Sequence, residues 1–553
     1  MGLLSVFHLK SLLRELANVL LQGVRRCSPK YRWKRNVNSD RRRKVESLLA
    51  RFCQGDSDRF KGDVLIDGQW DNPNYWLRLT LLRKALGLPN GFEVGVTGRF
   101  KHSECSRTLK SMGIEEVIRI RDIEYDENLV LKQVNNLKRI TKSSEDILKW
   151  KLEGEVPGSL FYDAILKRQR LASVDIFRSD FWQIVREGLV LAAKADRLIG
   201  MRDFKLVVVS HPVNFEYGLI AWFALTRGIK VIVPFGLFGV LRMVHMQHPE
   251  DLTDFYDRPK RRDIECLPVD TADKMRRAGV QYLKGRLDGR ADDLASVYAF
   301  NKNSQRIDRA SLCLKFGWDP VKPIVGFYAS NWYDWPHQLG MTQFRDFLDW
   351  TEKTFDVASQ TSEFNWLFKP HPCEEWFGGV SLKEIMRELP NSSHIGLADK
   401  NWNNAAVMEC IDAMVTYHGT AGIEFASLGK PVLLPDRGKY HDCGFAKVAN
   451  NRQHYLELLS TTWWSDYGRR EAQKNAELFA GWWFCAPSWQ GKFLLGDDSR
   501  QEELYSDILS LLVDNPEGMD KESESLKSWY LSGHMYSHTF KMMHAKSFQL
   551  TNV

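Results

Sequence analysis

Residues 365–372, NWLFKPHP, and residues 412–435, DAMVTYHGTAGIEFASLGKPVLLP, decide how this chain folds. The runs WLF, AMV and VLL are short, apolar and bounded by Gly, Pro or polar residues, the pattern of strands buried on both faces of a parallel sheet. The first two end in polar loops, and the second loop opens directly into a helical pattern. Such loops gather at the carboxyl edge of an α/β sheet, where phosphorylated ligands bind. Lys369 and His371 follow one strand, while Gly419, Thr420 and Ala421 begin the helix after the other. Gly419 permits a tight turn, and Thr420 sets a hydroxyl beside the open amides of a helix start. Glu424 falls one turn further on, on the face of Thr420, placed to accept from ribose hydroxyls. The set suits a diphosphate or a nucleotide monophosphate held without a metal ion.

Working outward, strand-like runs recur with helical patterns between them: GDVLI at 62–66, FEVGV at 92–96, EEVIRI at 115–120, LVVV at 206–209 and VIV at 231–233. A charged, helical passage over 249–305 leads to a new buried strand in KPIVGFYAS, and the alternation starts again. The expectation is an α/β chain with two Rossmann-like, doubly wound domains facing a cleft. A basic amphipathic segment covers 1–45, the first Rossmann-like domain 46–275 and the second 276–462. A helical, Trp-rich extension over 463–553 caps the two domains or crosses back over them.

Composition narrows the class. With 44% hydrophobic and 27% charged residues over 553 positions, the chain has the make-up of a globular protein. Its nine cysteines are an odd number without a CxxC pair, which argues against a disulfide framework and for a reducing, cytoplasmic compartment. No apolar run reaches the roughly 18–20 residues needed to cross a bilayer. Of the formal net charge of +7, a net +10 lies in residues 1–44, so the rest of the chain is mildly acidic. Positive charge confined to one end argues against a nucleic-acid surface. A helix carrying Leu3, Phe7, Leu13, Leu16 and Leu20, followed by the basic run from Arg25 to Lys44, reads as a segment lying on an anionic membrane surface. The other reading is a first helix packed on the body ahead of a solvated linker. No Walker loop, zinc ligand set or Ser-His-Asp arrangement is present, and no DxD motif stands in the expected place after a first-domain strand.

The runs SHPVNFEYGLIAWFALTRGIKVI (210–232), FKPHP (368–372) and YHGTAGIEFASLGKPVLLPDRGKY (417–440) resemble the capsular and surface polysaccharide biosynthesis transferases of bacteria. That group is similar to Kdo and sialic-acid transferases with a His-Pro motif and a downstream Ser/Thr motif, and to glycerol-phosphate transferases of teichoic acid synthesis. The segment PGSLFYDAILKR (157–168) is similar to a Gly…Tyr-Asp…Arg stretch in the first domain of such proteins. The likeness spans roughly 157–452 and implies the GT-B fold. It further implies a nucleotide-sugar donor on the second domain (276–462), a glycan or glycolipid acceptor at the inner membrane face on the first domain (46–275), and no cofactor.

The resemblance gives His371 a contact with the donor phosphate and makes Asp163 the leading candidate for the base that deprotonates the acceptor. Asp67 and Asp71 in DGQWDNPNYW, His211 and Glu216 are alternatives, each with an ordinary reading as a cap or turn residue. Trp332 and Trp335 either stack on a sugar or base or bury at the domain junction. Arg437 and Lys439 are candidate phosphate neighbours, and His418 a candidate supporting residue. A CDP-linked polyol-phosphate transferase, a nucleotide-sugar epimerase and a degenerate assembly scaffold stay open as other functions.

Overall fold

A computed structural model describes residues 29–53, 62–87, 92–98, 101–237, 240–291, 294–300, 304–372, 374, 380–390, 392–487, 508, 510, 513–514, 516–544 and 550–552. The amphipathic reading of residues 1–28 lies outside them.

Helix α1 (Pro29–Cys53) leads into β1 (Asp63–Asp67) and α2 (Pro73–Leu86). The start of α2 is written in its sequence: the Asn72 side chain accepts from the Asn74 amide, Pro73 occupies the first turn, and Gly87 ends the helix at φ 58°. Strands β2 (Glu93–Thr97) and β3 (Glu116–Arg119) follow, then α3 (Gly158–Gln169), α4 (Phe181–Ile199), β4 (Phe204–Val208), α5 (Leu219–Thr226), β5 (Lys230–Leu237) and β6 (Val240–Met246). The sheet order is β3-β2-β1-β4-β5-β6, parallel except for the edge strand β6, which runs antiparallel to β5.

Helix α6 (Val269–Leu287) carries the chain to the second unit, running continuously through the 275/276 boundary expected from the sequence. There β7 (Ile324–Tyr328), β8 (Asn365–Lys369), β9 (Ile395–Leu397), β10 (Ala413–Thr416), helix α7 (Ala421–Ser427), β11 (Val432–Leu434) and β12 (Lys447–Val448) build a sheet of order β12-β11-β10-β7-β8-β9. Every pair in it is parallel. Both sheets start from a central strand, wind outward, return and wind the other way. Each therefore has a switch point, between β1 and β4 in the first and between β7 and β10 in the second, where the loops diverge and leave a crevice.

Residues of β1, β4, β7, β8 and β10 are almost wholly buried because helices cover both sheet faces. The tail crosses back: α8 (Arg469–Phe484) packs on α6, α9 (Pro516–Ser532) on α2, and α10 (Ser537–His544) on β6. Trp482, Trp483 and Trp529 are fully buried there. Strand β6 is not among the strand-like runs of the sequence, and the short antiparallel pair Cys485–Pro487 with Leu550–Asn552 lies in the tail expected to be helical.

The carboxyl edges of the two sheets meet. The loop after β7 reaches the loop after β4, where the Trp335 indole donates to Asn214 Oδ1 at 2.7 Å and the Gln338 side-chain Nε2 to the Pro212 carbonyl at 3.1 Å. Two doubly wound units with facing strand ends form the GT-B architecture.

Candidate functional site

Three strand ends of the second sheet deliver nitrogen groups to one place. Lys369 is the last residue of β8 and His371 follows it, His418 follows β10, and Lys439 follows β11. Lys369, His418 and Lys439 are buried, and His371 is half-buried. Among the described residues the Lys369 ammonium makes no hydrogen bond or ion pair. The Lys439 ammonium donates to the Thr420 hydroxyl at 3.3 Å and lies 4.5 Å from the Trp483 ring centroid. The His418 Nδ1 is buried without a hydrogen-bond partner among the described residues.

The electrostatic effect is uniform. Burial pushes Lys369 down to about 8 and Lys439 down to about 7, and for Lys439 the nearby Arg242 adds to it. Burial also lowers His371 to about 4, with Lys369 and Lys439 repelling a further proton, and His418 to about 3, with Lys439 and His371 doing the same. Among the described residues, carboxylates act on the two lysines from beyond ion-pair distance: Glu424 on Lys369, and Asp257 and Asp334 on Lys439. Two buried lysines that form no ion pair among the described residues, with imidazoles beside them, fit an anionic ligand.

The loops are packed tightly enough to need glycine. A Cβ on Gly422 would lie 1.9 Å from the Tyr440 hydroxyl oxygen, and one on Gly438 would lie 2.9 Å from the His418 Cβ. Gly419, Thr420 and Ala421 are half-buried at the edge. The amides of Gly422 and Ile423 already donate to the carbonyls of Gly419 and Thr420, and α7 has only seven residues. The side-chain cations therefore carry more of the positive potential than the helix start does, a shift from the sequence reading.

Glu424 also differs from its expected boundary position. It is 2% exposed and ion-paired with Arg286 of α6, whose guanidinium also donates to the Ser296 hydroxyl. Its carboxylate is turned to Arg286 and not to open solvent, because α6 folds back against α7.

Asp163, in α3, is fully buried. It accepts from the His337 amide at 3.0 Å and the Gln338 amide at 2.9 Å, and its Oδ1 lies 2.7 Å from His337 Nδ1. Its place is a clamp between the units, whereas the sequence reading set it facing the acceptor. Nearby, Asp346 accepts from the hydroxyls of Tyr162 and Ser173. Asp67 is equally enclosed, accepting from the Ser210 hydroxyl at 2.6 Å and the Gln69 amide at 2.9 Å. Asp71 pairs with Arg42 and Lys101, and Glu216 with Arg168. His211 packs edge-on against Trp70, with ring centroids 4.2 Å apart. Trp332 is buried, donating to the Val380 carbonyl, and Arg437 is exposed.

Sequence reasoning missed two residues. Asp334, in the loop after β7, is half-buried and accepts no hydrogen bond among the described residues. Trp483, from the tail, lies between Lys439 and Arg242, whose guanidinium carbon is 4.3 Å from its ring centroid. No local signal marks Trp483, since its place depends on α8 returning to the second sheet.

No protein-family model and no curated protein matches the chain. Among solved structures, it is similar to the β-Kdo 2,4-transferase KpsC of Thermosulfurimonas dismutans, with 14% identity, 50% of this chain and 79% of that one covered, and a TM-score of 0.33. A glycosyltransferase of Rickettsia africae shares 12% identity over 89% of this chain and 100% of that one, with a TM-score of 0.24. The UDP-GlcNAc 2-epimerase of Neisseria meningitidis, solved with UDP-GlcNAc bound, shares 10% identity over 82% of this chain and 100% of that one, with a TM-score of 0.22.

Proposed function

We propose that this chain is a glycosyltransferase that moves a sugar from a nucleotide-activated donor to a surface glycan or glycolipid of the capsular or lipopolysaccharide type. One observation carries the reading: Lys369 and Lys439, buried at one sheet edge beside His371 and His418, form no ion pair with a carboxylate among the described residues. A bound phosphate supplies the missing counter-charge and restores the protonated state of both lysines.

In this reading the second unit holds the donor. Lys369, Lys439 and the His371 imidazole surround the phosphate oxygen that leaves the anomeric carbon, and Thr420 orients Lys439. Groups fixed where negative charge develops lower the barrier because they need no reorganisation, and removing one costs about 10²–10³ in rate. The lysines supply the positive charge for which other transferases use a metal ion. The first unit takes the acceptor, and the basic N-terminal run holds the protein at an anionic inner membrane face, where such acceptors grow.

A thermal-shift screen against CMP, CDP, UDP and GDP tests the donor site, because a ligand that binds only the folded state raises Tm by mass action. One nucleotide is expected to raise Tm in the parent protein and to lose that effect in Lys369→Met and Lys439→Met. Absence of a shift with every nucleotide overturns the reading.

A further inference from the structure

Asp334 sits where the two units cross, in a segment fixed on both sides. Its amide donates to the Asn331 carbonyl, while the amides of His337 and Gln338 are bound by Asp163 of the first unit. Trp335, the next residue, adopts a left-handed backbone at φ 46°, and its indole bonds Asn214, itself at φ 66°. Two non-glycine residues in that region, bonded to each other across the interface, form a strained arrangement that the surroundings over-determine.

This scaffold presents one carboxylate. Asp163, Asp67 and Asp346 are fully buried and saturated with donors, whereas Asp334 stays partly open to solvent and accepts no hydrogen bond among the described residues. The charged groups acting on it come from both units: Lys167 and Asp163 on α3, and Lys439 at the phosphate edge. The Lys167 ammonium is fixed over the Trp335 ring at 4.3 Å. Burial raises the pKa of Asp334 from the ordinary carboxylate value, the direction that suits a proton acceptor near neutral pH.

From this placement we infer that the Asp334 carboxylate is the general base, accepting the proton of the attacking acceptor hydroxyl. The inference rests on the donor reading of the neighbouring edge. The acceptor oxygen forms its bond to the anomeric carbon as the bond from that carbon to the donor phosphate oxygen breaks. The bonding pair leaves with the phosphate toward Lys369, Lys439 and His371, and the hydroxyl proton passes to Asp334 and later to water. Such a transfer inverts the anomeric centre.

The test uses the full chain and the nucleotide selected by the thermal-shift screen, with its sugar derivatives as donors and water as the simplest acceptor, read as nucleotide release. Asp334→Asn is expected to bind the nucleotide as the parent does, to lose about 10²- to 10⁴-fold in turnover, and to lose the rise of rate with pH at the acid side. Retained nucleotide binding shows that the variant is folded. Parent-like turnover of Asp334→Asn beside an inactive Asp163→Asn overturns the assignment and moves the base to the Asp163–His337 pair while leaving the donor reading intact. Failure of every nucleotide to bind the parent removes the donor reading and the base together.

Discussion

The Lys439 ammonium donates to the Thr420 hydroxyl across 3.3 Å, joining the loop after β11 to the first residue of the turn that starts α7. Thr420 is half-exposed to the cleft, and Lys439 is held from behind by Trp483 and Phe255, with ring centroids 4.5 and 5.5 Å away. A long, flexible cation is thereby fixed in one direction before any ligand arrives. Its burial, which lowers its affinity for a proton, is the cost that an incoming phosphate offsets.

Lys439→Met is expected to weaken nucleotide binding by about 10- to 100-fold, the size of a lost charge-assisted hydrogen bond of roughly 1.5–3 kcal/mol. The sign with pH follows from the free protein. Lys439 at about 7 and Lys369 at about 8 lose their protons as pH rises from 6.5 to 9, so affinity falls over that range and binding takes up protons. Titration calorimetry in two buffers of different ionisation enthalpy measures the uptake. Affinity independent of pH in this window contradicts the placement of both lysines at the phosphate.

The ligand-free protein is expected to lose stability as pH falls below about 6.5. Unfolded histidines protonate near 6.5, but His371 and His418 in the fold resist down to about 4 and about 3. Between those limits the unfolded state binds more protons, so each imidazole removes up to about 1.4 kcal/mol of stability per pH unit. His418→Asn should flatten the fall of Tm between pH 6 and 4 relative to the parent. A parallel fall in both proteins would assign the acid sensitivity to other groups.

How much of this was legible depends on what each residue's position requires. The strands around Phe368, Val415 and Leu433 announce themselves because both sheet faces are covered, so their apolar runs are local and short. Lys369, His371 and Thr420 follow from strand ends for the same reason. Lys439 was readable only as one of two basic residues after a strand; its burial, unlike the exposure of Arg437, is set by Phe255 and Trp483 from distant segments. Glu424 looked like a boundary residue because Arg286, its partner, lies 138 positions earlier in the chain. The antiparallel strand β6 carries Arg242 and His245 inside an apolar run, and those polar residues hide a strand that the tail later covers.

Glu424→Gln separates a ribose contact from a structural pair. With the carboxylate gone, the buried Arg286 charge loses its pairing with Glu424, and breaking such a pair typically costs about 3–5 kcal/mol. Chemical denaturation should show a loss of that order. A variant of parent stability with weakened nucleotide binding would instead return Glu424 to the ribose.

The basic run near the N-terminus is not uniformly available to a membrane. Arg42 is buried against Glu46, Asp71 and Thr108, so it fastens α1 to the first unit. Deleting residues 1–28 leaves that anchor in place and should lower co-sedimentation with anionic vesicles, with residual binding declining as salt rises. Undiminished vesicle binding after the deletion would place the attachment elsewhere.

Asp163→Asn tests the clamp between the units. The carboxylate accepts two backbone amides and faces the His337 ring nitrogen, all from the loop after β7. An amide of the same shape keeps one acceptor oxygen but turns an NH₂ toward one of these groups, leaving a buried donor unpaired at a cost of about 1–3 kcal/mol. The loss falls on the interface and not on either sheet, so the expected result is a lower Tm with loosened contact between the units and nucleotide binding retained. Increased hydrogen exchange at the amides of His337 and Gln338, with unchanged protection in β8 and β10, would report that loosening directly. Parent-like Tm and exchange in the variant would show that these three contacts contribute nothing to holding the units together.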